Sequence, residues 1–127
     1  MKSALITHTL SLVIAFSTTS CILFSPSHRP SSENPEAMLE WGIKEFNAGT
    51  VSEAKVTLES VIEATAAREL AETRAVAHFY LAAVAWDFEE TATTDLHLRQ
   101  CLNLRPNYQP DWTFLSSGLR QRYETLR

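Results

Sequence analysis

The residues best suited to metal chemistry are Asp95, His97 and Cys101, which fall within one short stretch of the chain. His97 and Cys101 are four positions apart, so on a helix they share one face, and both side-chain types bind zinc. A structural zinc site uses about four ligands, and the sequence offers no second pair at a suitable spacing. Because Cys101 lies in an apolar stretch, we interpret it as a small buried side chain and predict no metal and no cofactor.

Two other polar features could serve a catalytic site. His78 lies close to Tyr80 and Trp86 on a predicted helix, where a structural histidine is the usual interpretation. Glu89 and Glu90 are adjacent at a predicted turn, which favours a solvated loop over a general acid–base pair. The chain has three glycines and contains no phosphate-binding loop, nucleophile elbow or zinc-protease motif. We therefore predict that the protein is not an enzyme.

The aromatic residues raise the question of binding instead. Trp41 and Trp86 occupy helical packing positions, so they are expected in the core. Trp112 lies in an irregular segment, residues 108–114, and is expected either to pack into the core or to contact a partner. A pocket shared by Trp41, Tyr80, Trp86 and Trp112 would make the chain a small-molecule-binding accessory protein, which is the alternative function that the sequence offers.

The N-terminal residues 1–20 have the order of an export signal. Lys2 provides a positive start, residues 4–16 are mostly apolar, and residues 17–20 are small. Counted through residue 24, the apolar stretch is about twenty residues long, which is just enough to span a bilayer. The segment therefore predicts export of the domain that follows, whether as a cleaved signal, a lipidated anchor or an uncleaved single-span anchor.

The segment Thr18-Thr19-Ser20-Cys21 resembles the lipobox of bacterial lipoproteins. In that family the cysteine becomes the mature N-terminus and carries lipid, so the resemblance implies lipid attachment at Cys21. Residues 21–33 are rich in proline and serine and are predicted to form an extended tether. These features predict an exported, membrane-anchored protein of the cell envelope, with a lipoprotein favoured over a single-span anchor.

The composition of residues 34–127 predicts one all-α domain. Glycine is scarce, and valine and isoleucine are sparse after Ile62, whereas Ala, Leu, Glu and Arg are common. Acidic residues far outnumber basic ones between residues 33 and 95. Because phosphate backbones require a dense basic surface, the acidic body argues against a nucleic-acid partner. From residue 96 onward arginines dominate, and this part could face solvent, anionic lipid or an acidic partner.

Local signals predict a hairpin of two helices at the start of the domain. Asn34 caps a helix that has Pro35 in its first turn, and Gly49 can adopt the left-handed conformation that ends it. Residues 50–53 have the pattern of a capping box and start a second helix. Residues 64–72 contain no turn residue, so this helix either extends through them or breaks near residues 65–68.

Three further helices are predicted in the rest of the chain. Residues 75–88 are apolar on nearly all sides, which indicates a central, buried helix. Residues 94–104 form a fourth helix, which ends before Pro106. Ser116 or Ser117 caps a final amphipathic helix, and the residues expected to face inward from it are Leu119, Tyr123 and Leu126.

The spacing of small and apolar residues resembles the tetratricopeptide repeat, a unit of two antiparallel helices. One unit contains Gly42, Ala54, Leu58 and Val61, and a second contains Ala82, Leu98, Cys101 and Pro106. Gly42 and Ala82 are 40 residues apart, as are Ala54 and Thr94, whereas the family repeat is about 34 residues. The resemblance implies a short solenoid of about two stacked hairpins. Residues 77–127 are also similar to the C-terminal ends of short envelope repeat proteins, in which a final helix caps the stack.

The resemblance implies a function in binding. Stacked hairpins leave a concave face that can hold a protein or peptide. The chain is therefore expected to be a non-catalytic interaction or assembly module of the envelope, such as an accessory lipoprotein of a secretion, pilus or transport system, and it could oligomerise. If the first helix of each unit lines that face, the expected contact residues are Glu40, Lys44, Asn47, His78 and Asp87, together with Trp112.

Overall fold

The computed structural model describes residues 28–127 and is α-helical, without a strand, over that range. The helices are α1 (Pro35–Asn47), α2 (Val51–Thr65), α3 (Ala71–Asp87), α4 (Thr91–Leu104) and α5 (Ser117–Leu126). The predicted all-α fold class is confirmed. The predicted export signal, Cys21 and most of the tether lie outside the described residues. None of the helices found in residues 28–127 is long and apolar enough to cross a membrane.

The first hairpin follows most of its local signals. The Asn34 side chain accepts a hydrogen bond from Ala37 N at 3.1 Å, and Pro35 occupies the first turn of α1. Gly49 has a φ of +84°, as expected for a residue that ends a helix. The predicted capping box is wrong, because the Thr50 hydroxyl donates to the Glu45 carbonyl oxygen at 2.9 Å and makes no cap bond to α2. The hydroxyl closes the α1–α2 turn instead.

Residues 66–70 separate α2 from α3, so of the two alternatives for this region the break is correct. Thr65 ends α2 with its hydroxyl donating to the Val61 carbonyl at 2.8 Å. Helix α3 then begins at Ala71 instead of residue 75, and α4 begins at Thr91 instead of residue 94. Both helices are longer than predicted, because α3 begins directly after the break at residues 66–70 and only residues 88–90 separate it from α4.

The α1–α2 and α3–α4 hairpins have the same turn, repeated along the chain at the offset predicted from the sequence. In each turn, three consecutive backbone N–H groups bond to equivalent carbonyls of the preceding helix at 2.9–3.2 Å. The matched pairs, each 40 residues apart, are Asn47 and Asp87 at the helix ends, Gly49 and Glu89 with positive φ, and Val51 and Thr91 at the helix starts.

The two helices of the first hairpin approach closely at Gly42. A Cβ atom at this position would lie 3.0 Å from Leu58 Cγ, so a larger side chain would push α2 away from α1. Ala82 holds the matched position in α3, where it is fully buried. In the first hairpin, Gly42 thus allows α1 and α2 to approach closely, as the spacing of small residues predicts.

Helix α3 lies at the centre of the molecule and packs against α1, α2 and α4. Its Phe79 is fully buried, and four aromatic rings meet it edge-on at centroid distances of 5.4–5.8 Å. Helix α5 reaches this cluster through Tyr123, whose hydroxyl donates to the Tyr108 carbonyl at 2.6 Å. The Ser116 side chain caps α5 by accepting from Leu119 N at 3.1 Å. The C-terminal helix therefore covers one side of α3.

Glu89 has a φ of +60°, in the left-handed region where a residue with a Cβ atom is strained. We expect Glu89→Gly to raise the free energy of unfolding by about 1 kcal/mol, because glycine adopts this conformation without steric cost. Urea denaturation of the full-length protein measures the change. Gly49→Ala, at the matched position of the first hairpin, is the control and should lower the stability. A destabilised Glu89→Gly variant would contradict the role assigned to strain at this turn.

Candidate functional site

The six residues expected to contact a partner do not form one surface. Glu40, Lys44 and Asn47 are exposed on α1, and Asp87 is exposed at the end of α3. Lys44 borders a cleft beside Trp41, whereas Asp87 borders a different cleft beside Trp86. Lys44 and Asp87 therefore border different clefts.

His78 does not lie on the surface, and its assignment as an exposed contact residue is wrong. Only 8% of it is exposed, because α3 is covered on this side by its neighbours. Its Nδ1 atom lies 3.0 Å from Nδ1 of His97 on α4, so one ring must donate the hydrogen bond and the other accept it. The pKa of His78 is lowered to about 4, mainly by burial and to a smaller extent by the charges of His97 and Arg74.

His97 shares this environment. Burial lowers its pKa, the nearby charge of Glu59 acts in the opposite direction, and Lys55 adds to the lowering. With both pKa values below the ordinary histidine value, the two rings are neutral at pH 7, as their mutual hydrogen bond requires. The pair therefore acts as a buried neutral contact between α3 and α4.

The three side chains considered for zinc, Asp95, His97 and Cys101, have separate surroundings and do not converge on one site. Asp95 forms a bidentate ion pair with Arg122 on α5. The hydrogen bond from Arg122 lowers the pKa of the Asp95 carboxyl group. Cys101 is fully buried, and burial raises the pKa of its thiol to about 12. Within residues 28–127, no three His, Cys, Asp or Glu side chains are close enough to hold a metal ion.

Trp112 packs into the aromatic cluster, so of its two predicted roles, core packing and partner contact, the structure shows core packing. Its ring meets Phe79 at 5.6 Å and Tyr123 at 5.5 Å between centroids, and the Arg120 guanidinium lies 5.9 Å from its centroid. Tyr80 also packs against Phe79, whereas Trp41 and Trp86 border separate clefts. The structure therefore does not bring the four aromatic residues of the small-molecule alternative into one pocket.

A concave region is centred on Trp86, at the junction of α3, α4 and α5. Trp86 is half-buried, and two clefts border it. A Cβ atom on Gly118 would lie 2.7 Å from Trp86 Cζ2, so the glycine lets α5 lie directly against the indole. One cleft has a volume of about 370 Å³ and is lined by Trp86, Asp87, Glu89, Thr91 and Ser116. The other, of about 300 Å³, is lined by Trp86, Gly118, Gln121, Arg122 and Thr125.

The two clefts differ in charge. Asp87 and Glu89 give the larger one an acidic border, and partial burial raises the pKa of Asp87. In the smaller cleft the charge of Arg122 is balanced by its ion pair with Asp95. An indole beside carboxylates suits a Lys or Arg side chain, since the aromatic ring and the anions both attract a cation. The arrangement can therefore bind a basic side chain of a larger partner.

The sequence does not predict this site, because its parts are distant in the chain. The helical position of Trp86 predicts a core residue, and the turn at Glu89 and Glu90 predicts a solvated loop. The contact between Trp86 and Gly118 joins α3 to a helix that begins after an irregular segment, and no local pattern predicts it. The adjacency of Trp86 and Asp87 is the one signal that was present in the sequence.

Comparison with known proteins identifies no relative, since no family model, no curated protein and no solved structure matches the chain.

The histidine pair makes stability depend on pH. Because the pKa of His78 is lower in the folded protein than its ordinary 6.5, the unfolded chain takes up a proton first as the pH falls. The stability contributed by neutral His78 is therefore complete above pH 6.5 and is lost toward pH 4, by as much as about 3 kcal/mol.

We expect His78→Met to reduce this loss, since Met38 occupies the matched position of the first hairpin and is buried there. Urea denaturation at pH 7 and pH 5 measures the difference between the variant and the unmodified protein. His28→Met, at an exposed position before α1, is the matched control and should leave the pH dependence unchanged. An equal loss of stability on acidification in all three proteins would rule out His78 as its source.

Proposed function

We propose that this protein is a non-catalytic interaction module of the bacterial cell envelope that binds a basic segment of a partner protein at the larger cleft beside Trp86, bordered by Asp87, Glu89, Thr91 and Ser116 and called here the Trp86 cleft. The observation that carries this proposal is a half-buried tryptophan between two clefts, one of them bordered by Asp87 and Glu89. Tryptophan in a partly desolvated recess is the residue type that most often dominates binding energy at protein interfaces. The acidic border adds selectivity for a basic partner.

The hairpin repeat supports a likeness to tetratricopeptide-repeat proteins. Two hairpins with the same turn stack through α3, small residues occupy the positions of close approach, and Pro106 follows the second hairpin. Proteins of this architecture bind partners with surfaces formed by successive repeats. The Trp86 cleft lies where the second hairpin meets α5, so a partner there would contact more than one unit of the stack.

The place of action rests on residues 1–27. Their apolar stretch and the lipobox-like segment ending at Cys21 support export, with lipid on Cys21 as the membrane anchor. The Pro/Ser-rich residues before α1 would hold the helical domain away from the membrane surface. A domain displayed in this way is available to other envelope proteins.

Site-directed photo-crosslinking from membranes tests the binding proposal. A crosslinking residue at Thr91, on the border of the larger cleft, is expected to give a defined partner adduct, and one at Glu63, exposed on α2, is not. Reversing the border charge with Asp87→Lys and Glu89→Lys should abolish the adduct, because the cleft would then repel a basic segment.

The matched control for charge reversal is the pair Glu40→Lys and Glu63→Lys, which makes the same change in net charge on α1 and α2. Adduct formation should survive this change. An adduct that persists after reversal at Asp87 and Glu89 would remove the cleft from the proposal. The absence of any adduct at Thr91 in membranes from the native organism would count against a binding function there.

Labelling with radioactive palmitate tests the anchor. The full-length protein is expected to incorporate label, and Cys21→Ser is expected to lose it, since the lipid would be attached through this thiol. Cys101→Ser is the matched control and should keep the label, because Cys101 is buried. An unlabelled native protein, or label that survives Cys21→Ser, would show that the lipoprotein assignment is wrong.

A further inference from the structure

A third cleft, different in character from the two beside Trp86, lies at the N-terminal end of the stack. It has a volume of about 280 Å³ and is lined by Trp41, Lys44, Glu45, Ala48 and Thr50, at the end of the first hairpin. Neither α3 nor α4 contributes to it. The second hairpin indicates what could bind there, because the equivalent positions of that hairpin lie beside another helix.

The five positions that line this cleft also line a recess in the second hairpin, where different residue types occupy them. A small recess there is bordered by the five residues 40 positions further along the chain, Leu81, Val84, Ala85, Phe88 and Glu90. Its volume is about 10 Å³ instead of about 280 Å³. Helix α2 packs against α3, and Lys55 from α2 borders this recess. The place that is open on the first hairpin is therefore occupied by a helix on the second.

The helix that fills the place on the second hairpin has a definite pattern. Lys55 lies at the recess, and Ile62, seven residues or about two turns further along, falls on the same side of α2 and is half-buried. Val61, next to it, is fully buried in a cluster with Met38 of α1 and Ala77 of α3. A suitable occupant thus combines one basic residue with aliphatic residues about two turns further along a helix.

The open cleft on the first hairpin has matching chemistry. Trp41 and Ala48 offer an apolar surface, and the Glu45 carboxylate accepts hydrogen bonds from Trp41 Nε1 at 2.8 Å and Thr57 Oγ1 at 2.6 Å. The same carboxylate also holds the Arg29 guanidinium at 3.2 Å. The Arg29 side chain is 45% exposed, so the basic residue of an incoming helix can replace it.

The geometry points to a helix-docking site at the Trp41 cleft, whose occupant is an amphipathic helix of a partner protein with a basic residue and aliphatic residues about two turns further along. The helix would lie on the first hairpin as α2 lies on the second. A second copy of this chain cannot supply its own α2, because α2 is already packed between α1 and α3. This site is separate from the Trp86 cleft, so it extends the proposed function without depending on it.

A peptide of residues 50–66 is the probe, since it contains α2, the helix seated at the matched place. Fluorescence anisotropy of the labelled peptide with the full-length protein should show weak, saturable binding, because an isolated helix of this length is only marginally stable. Ala48→Arg should weaken binding by about tenfold, since it adds bulk and positive charge at the cleft. A Lys55→Glu peptide should bind more weakly by a similar factor.

The matched control is Gln100→Arg, which adds the same charge at an exposed position of α4 and should leave binding unchanged. Failure of the peptide to bind, or equal binding to Ala48→Arg, would overturn the proposal. Sensitivity only to Asp87→Lys and Glu89→Lys would place the peptide at the Trp86 cleft and would also overturn it, while leaving the proposed function intact.

Two further outcomes would identify a different occupant and so overturn the partner-helix proposal. Self-association of the protein in sedimentation that Ala48→Arg abolishes would make the occupant a second copy. Peptide binding that appears only after residues 1–27 are removed would make the occupant the N-terminal segment of the chain itself.

Discussion

Helix α3 has buried residues on nearly every side, and the rest of the molecule is arranged to cover it. A helix with so little polar surface is stable only when each of its faces is removed from water, since burial of a large apolar side chain contributes about 2 kcal/mol. Helices α1 and α2 cover one part of it, α4 covers another, and the segment before α5 closes over Phe79 with Tyr108 and Trp112. The short helix α5 completes the cover with Tyr123.

The two hairpins share a backbone but not a chemical environment, and the difference follows from their positions in the stack. In the second hairpin Ala85 borders the small recess that Lys55 of α2 also borders, whereas in the first the matched position is Glu45, whose carboxylate is held by Trp41 and Thr57. A terminal unit of a repeat array has an outer face that meets water, so a polar group is tolerated there. The inner unit instead buries His78 against His97, which is acceptable because both rings are neutral.

Local signals in the sequence predicted the five helices, but not the first residues of α3 and α4. Asn34, Pro35 and Gly49 act within a few residues of themselves, so their roles at the ends of α1 were predictable. The 40-residue offset was also visible, because small residues recur at matched positions. The surface was not predictable in the same way. Helical periodicity predicts His78 on the binding face. The structure buries it instead, because the neighbouring helices cover this side of α3.

The Trp86 cleft shows why binding surfaces of this kind escape prediction from sequence. Helix α5 has ten residues, too few to be stable alone, so its position depends on the Asp95–Arg122 ion pair and on the burial of Leu119 and Tyr123. These contacts join residues far apart in the chain, and they decide how much of the indole stays accessible. A bulkier residue in place of Gly118 would meet the ring directly. The recess thus results from the way α5 packs against α3 and α4, and the sequence of either helix alone does not predict that packing.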